Sequence, residues 1–195
     1  MASNGGGNGR PRIVITGLGA VSPLGHDVES TWAACRAGTS GVGPITQFDA
    51  SALPTRIAAE VTDFDAVGHL GVKEVRRTSR CIQLALVAAR QAVADSGLDI
   101  AAIGEETGVL VASGVGGLEV LERSTLNLHQ QGVRLVSPFT VPSMIADMPA
   151  GMIAIEHGAG TDVAEIRTRV RLRHAKRSDR LARHHAHPQQ GLAAR

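Results

Sequence analysis

Val14-Ile15-Thr16-Gly17-Leu18-Gly19-Ala20-Val21-Ser22-Pro23-Leu24-Gly25 is the stretch on which the fold turns. Taken from Arg12, it opens with four β-branched residues and closes on Gly17, the pattern of a buried strand running into a turn. Glycines at 17 and 19 after a strand are also how a dinucleotide-binding loop begins. Here the third glycine position holds Ser22, and no acidic residue ends a second strand at the required distance. The dinucleotide reading is set aside.

Working outward, Asp27 or Ser30 caps a helix that runs through Trp32 and Cys35 to Gly38. A loop over 38–44 follows, then a weak strand over 56–61. The best helix is expected over 73–96, where Ile82, Leu86, Ala89 and Val93 share one stripe and Gly97 supplies the stop. A second buried strand is expected over 107–112, breaking into Ser113-Gly114-Val115-Gly116-Gly117, with a helix from Leu118 to about Leu128 after it. The apolar stretch 137–155 is punctuated by Pro138, Pro142 and Pro149, so short helical pieces are expected there. Strands separated by helical runs predict an α/β fold with a largely parallel sheet.

The chain has 195 residues, 43% hydrophobic and 19% charged, with 23 glycines but only three Phe, one Trp and no Tyr. A core so poor in rings is built from Val, Ile, Leu and small residues. Aromatic-stacking nucleic-acid modules are excluded by the same shortage, because they need ring faces for the bases. The net charge of +2 averages two unlike segments. Residues 160–195 hold nine Lys or Arg against three acids, which leaves 11 bases and 15 acids in residues 1–159. Nowhere do eighteen apolar residues run together, and the first residues carry no apolar stretch, so a cytoplasmic protein is expected.

Few residue clusters stand out as chemistry. The glycines of 113–117 lack the Gly-Lys-Ser/Thr of a phosphate loop and are read as allowing a close backbone approach. Cys35 and Cys81 sit on apolar helix faces and are read as buried packing thiols. His184-His185-Ala186-His187 has no second ligand cluster, so no metal is expected. Lys73, Arg76 and Arg77 lie at i, i+3 and i+4, three cations on one helix face. On spacing alone that is a solvated face.

The motifs together resemble one family. The 14–25 stretch, then Gly38-Thr39-Ser40-Gly41-Val42, Phe48-Asp49-Ala50, Ala112-Ser113-Gly114-Val115-Gly116-Gly117-Leu118 and Val136-Ser137-Pro138-Phe139 are similar, in order over 12–159, to the start of a type II β-ketoacyl-acyl-carrier-protein synthase. The resemblance implies the N-terminal half of a thiolase-like layered fold, a homodimer, an acyl-carrier-protein partner and no cofactor. It implies fatty-acid chemistry in which a Cys thiolate takes an acyl group, and the carbanion left by decarboxylation of malonyl-carrier protein attacks that thioester. Val115 matches a position lining the acyl pocket, and Thr140 and Ile145 match pocket positions contributed across the dimer interface. Thr140 stands where some members carry Phe. Lys73, Arg76 and Arg77 match the basic patch that receives the acidic carrier protein, so the resemblance turns a solvated face into a docking edge.

After Gly158-Ala159 the family pattern is replaced by Gly160-Thr161-Asp162-Val163, and neither Cys occupies the family's nucleophile turn. No catalytic residue is assigned, and no condensation activity is expected of the chain. The organisation expected is a leader over 1–11, the synthase region over 12–159, and a basic tail over 160–195 that is disordered or read out of frame. Val170-Arg171-Leu172-Arg173-His174 can be encoded by bases that, read one position later, give Cys-Ala-Ser-Gly-Thr, which resembles that nucleophile turn. Two other readings are a non-catalytic partner akin to a chain-length factor and, less favoured, a nucleic-acid-binding tail.

Overall fold

The computed structural model describes residues 12–160 and the strand Val163–Glu165. The basic run beyond that strand, with the histidine cluster and the shifted-frame segment, lies outside the described residues.

Helix α1, Val28–Ala37, starts at Asp27, whose Oδ1 accepts the Ser30 N–H at 2.7 Å, and ends at Gly38. That backbone bond, reinforced by the Ser30 hydroxyl, holds the Asp27 carboxyl below the usual carboxylate range. The short strands β1, Gly43–Pro44, and β2, Ile57–Ala58, pair antiparallel. Helices α2, Ala66–Leu70, and α3, Val72–Val75, lead into the long α4, Arg80–Ser96, which stops at Gly97 in the left-handed conformation (φ 64°). Strand β3, Val109–Val111, is followed by α5, Leu118–Gln131, α6, Thr140–Met144, and α7, Met148–His157. Strand β4, Val163–Glu165, pairs parallel to β3, with Val109 opposite Val163 and Val111 opposite Glu165. Thus a strand forms just past Gly160, where the sequence pattern breaks.

The core lies on both sides of α4. On one side Ile82, Leu86 and Ile153 pack with Val109, Val111, Met148 and Met152, which joins α4, α7 and β3. On the other, Phe64, Ala66 and Val87 pack with Val21, Val61 and Leu84. Ile82 and Leu86 are each 1% exposed, while Ala89 and Val93, the rest of the stripe read from the sequence, are half-buried. None of the helices among the described residues is long and apolar enough to cross a membrane.

Four expectations are corrected. Residues 12–17 are not in a strand, and Ile13 is 95% and Ile15 82% exposed. A β-branched run becomes a strand only beside a hydrogen-bonding neighbour, and none of the described strands pairs with it. The glycines instead press on α4: a Cβ at Gly19 would collide with the Ala88 carbonyl, and the Leu18 and Ala20 N–H groups donate to Asp95 Oδ2 and Gln91 Oε1 at 2.9 and 3.0 Å. The helix expected over 73–96 is two helices, because Ser79 caps a fresh start, its Oγ accepting the Ile82 N–H at 3.4 Å. Cys35 is exposed rather than packed, on a helix with no buried residue, while Cys81 is half-buried. The strand over 107–112 shrinks to three residues, with Leu110 57% exposed between two half-buried valines.

Candidate functional site

The break between α3 and α4 builds the site. Lys73 lies in α3, Arg76 caps it and Arg77 follows, all three exposed. They therefore project from a short helix and the turn that ends it, and not from one face of a long helix. The Gln83 side-chain amide, 7% exposed, donates to the Val75 and Thr78 carbonyls at 3.2 and 3.0 Å. The Ser143 hydroxyl, on a residue 4% exposed, donates to the Arg77 carbonyl at 2.6 Å. Two buried side chains thus satisfy carbonyls that an uninterrupted helix would have bonded internally.

The same turn is joined to the glycine loop 113–117. Ser79 is 2% exposed, and a Cβ at Gly117 would collide with it and with the Ser143 carbonyl. Gly117 N–H donates to the Met144 carbonyl at 3.0 Å, and Gly116, at φ +78°, lies against Met144 and Ala146. The close approach expected of these glycines is thus made, to the end of α6. The contact sets the loop bearing Val115 beside the segment bearing Ile145; Val115 is 63% and Ile145 37% exposed. Thr140 opens α6 half-buried, its hydroxyl 2.8 Å from that of Ser124 on α5. One further contact crosses the site: the Arg77 guanidinium carbon lies 4.9 Å from the centre of the Phe139 ring.

The cationic turn, the glycine loop and α6 are therefore one connected structure. The six residues singled out from the sequence fall on its three parts. Sequence reasoning missed Ser79 and Ser143, which join the parts, and Gln83, which braces the turn; it quoted Phe139 only as part of a family motif. Ser79 was readable as a cap after Thr78; the Ser143–Arg77 bond spans 66 positions and leaves no local signal.

Among the described residues neither thiol has a histidine or cation recorded as a hydrogen-bond partner. Cys81 Sγ is 3.7 Å from Ser113 Oγ, and that hydroxyl accepts the Gly116 N–H at 2.9 Å. A neutral hydroxyl neither takes the thiol proton nor stabilises a thiolate as a histidine or cation does. Among the described residues no three His, Cys, Asp or Glu side chains are grouped to hold a metal.

With this geometry in view, comparison with known proteins is decisive. Residues 10–168 match the family described as beta-ketoacyl synthase, N-terminal domain. The chain belongs to the β-ketoacyl synthase family. Its family match runs to Thr168, past the Ala159 at which the motif resemblance stops, and takes in β4. The 3-oxoacyl-[acyl-carrier-protein] synthase 2 of Coxiella burnetii is 48% identical over 147 residues, covering 75% of this chain and 36% of that protein. The synthase 2 of Staphylococcus aureus strain COL is 43% identical over 149 residues, again covering 36% of its own length. The chain thus spans about a third of the length of these curated relatives. A solved ishigamide ketosynthase/chain length factor superposes with a TM-score of 0.70 at 30% identity, covering 80% of this chain and 39% of that one. A type II polyketide ketosynthase, solved in complex with its acyl-carrier protein, superposes at 0.63 with 20% identity, covering 80% and 41%. These neighbours show the fold to be the ketosynthase, thiolase-like one, of which this synthase chain carries a part.

Proposed function

We propose that the chain is the N-terminal portion of a 3-oxoacyl-acyl-carrier-protein synthase, supplying a carrier-protein docking edge and part of an acyl pocket. Lys73, Arg76 and Arg77 receive the acidic carrier protein, and Val115, Thr140 and Ile145 line the path of the acyl chain. The reaction served is the family's. An acyl group passes from carrier thioester to a cysteine, and malonyl-carrier protein loses carbon dioxide. The resulting carbanion then forms a C–C bond as the cysteine thiolate leaves. The partner is an acyl carrier protein, and Thr140 and Ile145 face a second copy of the fold.

The observation that carries this reading is the joining of the cationic turn to both pocket segments through Ser79, Gly117 and Ser143. A docking edge is useful to a condensing enzyme only if it delivers its cargo to the pocket beside it. The ketosynthase neighbour solved with its acyl-carrier protein is consistent with such docking. We also propose that the 195-residue polypeptide, alone, does not condense: Cys35 is exposed and Cys81 has a hydroxyl for a neighbour. The reading of 160–195 as a tail apart from the synthase region is kept in this proposal for the residues past Thr168, since the family match and β4 take in those before it.

Titration of a holo-acyl carrier protein onto the chain at low salt tests the docking edge. Arg76→Glu puts a like charge against an acidic partner and weakens binding at least tenfold, and added salt weakens the native complex. Binding unmoved by both removes the docking edge. A second reading, a non-catalytic partner subunit, is favoured by the likeness to a ketosynthase/chain length factor. Copurification with an intact synthase as a defined heterodimer supports it.

A further inference from the structure

Resting on that docking reading, we propose that Arg77 is a two-position coupling residue. Its guanidinium either stacks on Phe139 or swings out to an acidic carrier protein, and when it leaves the ring it loosens α6. Docking would then be linked to the order of the segment that carries Thr140 and Ile145.

The backbone of Arg77 is fixed, while its side chain makes no hydrogen bond or ion pair among the described residues. Its N–H donates to the Glu74 carbonyl at 3.0 Å and its own carbonyl accepts the Ser143 hydroxyl. The bonds from Gln83 pin Val75 and Thr78 nearby. The charged head, by contrast, has no ion pair among the described residues, where Arg90 and His157 share Glu156. Its recorded partner is a ring face, a weak and exposed attraction that a carboxylate outcompetes.

Phe139 in turn is where α6 is most easily undone. It occupies the cap position of a five-residue helix with no side-chain cap bond, and its carbonyl accepts the Ser143 N–H at 2.9 Å. A helix this short depends on tertiary contacts. Taking the guanidinium away removes one of them, at the residue next to Thr140. By linkage, whatever docking does to α6, the state of α6 does to docking.

Two readouts test this. The first needs no carrier. Hydrogen exchange at the Ser143 and Ile145 amides, both bonded within α6, speeds up about two- to fivefold in Arg77→Leu, the worth of an exposed cation–π contact, and stays at the native rate in Lys73→Leu. Equal rates in Arg77→Leu and the native chain overturn the coupling. The second readout is the dissociation constant for holo-acyl carrier protein. Phe139→Leu frees Arg77 in advance and tightens binding about two- to fivefold, while Phe139→Tyr, which keeps a ring, restores the native value. A Phe139→Leu affinity equal to the native one overturns the competition. Arg76→Glu tells the two failures apart. If it weakens binding while the Phe139 and Arg77 variants do nothing, docking holds and the coupling falls. If it leaves binding unchanged, the docking edge falls, and the carrier half of this proposal with it.

Discussion

Gly117→Ala isolates the contact that holds the site together. Gly117 is buried between the Ser143 carbonyl and the Ser79 side chain, and an added methyl would overlap both. Neither can retreat freely: Ser79 caps α4 with its own hydroxyl, and Ser143 is tied to Arg77. Overpacking by one methyl at such a position costs about 1–3 kcal/mol. Gly114, three residues earlier, is exposed with nothing within reach of an added Cβ. There an alanine is neutral or stabilises by about 0.4–1 kcal/mol, by restricting the unfolded chain. In urea, with a slope of about 2 kcal/mol/M, the Gly117 variant unfolds roughly 0.5–1.5 M earlier, while the Gly114 variant matches or slightly exceeds the native midpoint. Equal midpoints for the two variants would refute the claim that loop 113–117 is clamped to the α4 cap and to α6.

Other consequences are open to simple measurement. Leu86→Ala, at a residue 1% exposed, lowers unfolding free energy by about 2–5 kcal/mol, whereas Leu110→Ala, at 57% exposed, changes it by about 0.5 kcal/mol or less; denaturant midpoints compare them. The carboxyls of Asp27, Asp49 and Glu60 are held below their ordinary range by bonds from Ser30, Ser51 and Thr46. Their charged forms favour the folded state, so this stability is present above the unfolded carboxylate pKa of about 4 and is lost as pH falls through the lowered folded values. Thermal midpoints therefore hold steady from pH 7 to 5 and drop below about pH 4, less steeply in Asp27→Asn, which still caps α1. Arg90, raised by its bond to Glu156, loses its contribution only as pH climbs past the guanidinium range and adds no slope in that window.

What the sequence disclosed depended on how local the signal was. The Asp27 cap, the Gly38 and Gly97 stops and the Ile82–Leu86 stripe each act within one or two turns, and the structure keeps all of them. Ile13-Val14-Ile15 has strand composition, but strand formation needs a neighbour, and composition cannot say whether one is there. The break before the long helix is hidden for a similar reason. Lys73, Arg76 and Arg77 satisfy helical spacing, but spacing carries no information about Ser79, where the chain begins its helix afresh. Cys35 lies on a face that is apolar in sequence but whose covering surface the sequence does not specify, and the described residues leave it exposed. The site divides the same way. The three cations stand out by spacing and take their role, like Val115, Thr140 and Ile145, from the family resemblance, while the bonds uniting them join residues dozens of positions apart.

We propose that this chain supplies the approach to a condensing site and that neither Cys35 nor Cys81 is placed to begin the chemistry. Incubation of the purified 195-residue protein with acyl- and malonyl-carrier protein, followed by carbon dioxide release, measures it directly. Release no greater than from a mock preparation is expected. Sustained release above it, lost when Cys35 or Cys81 is replaced by alanine, would contradict it.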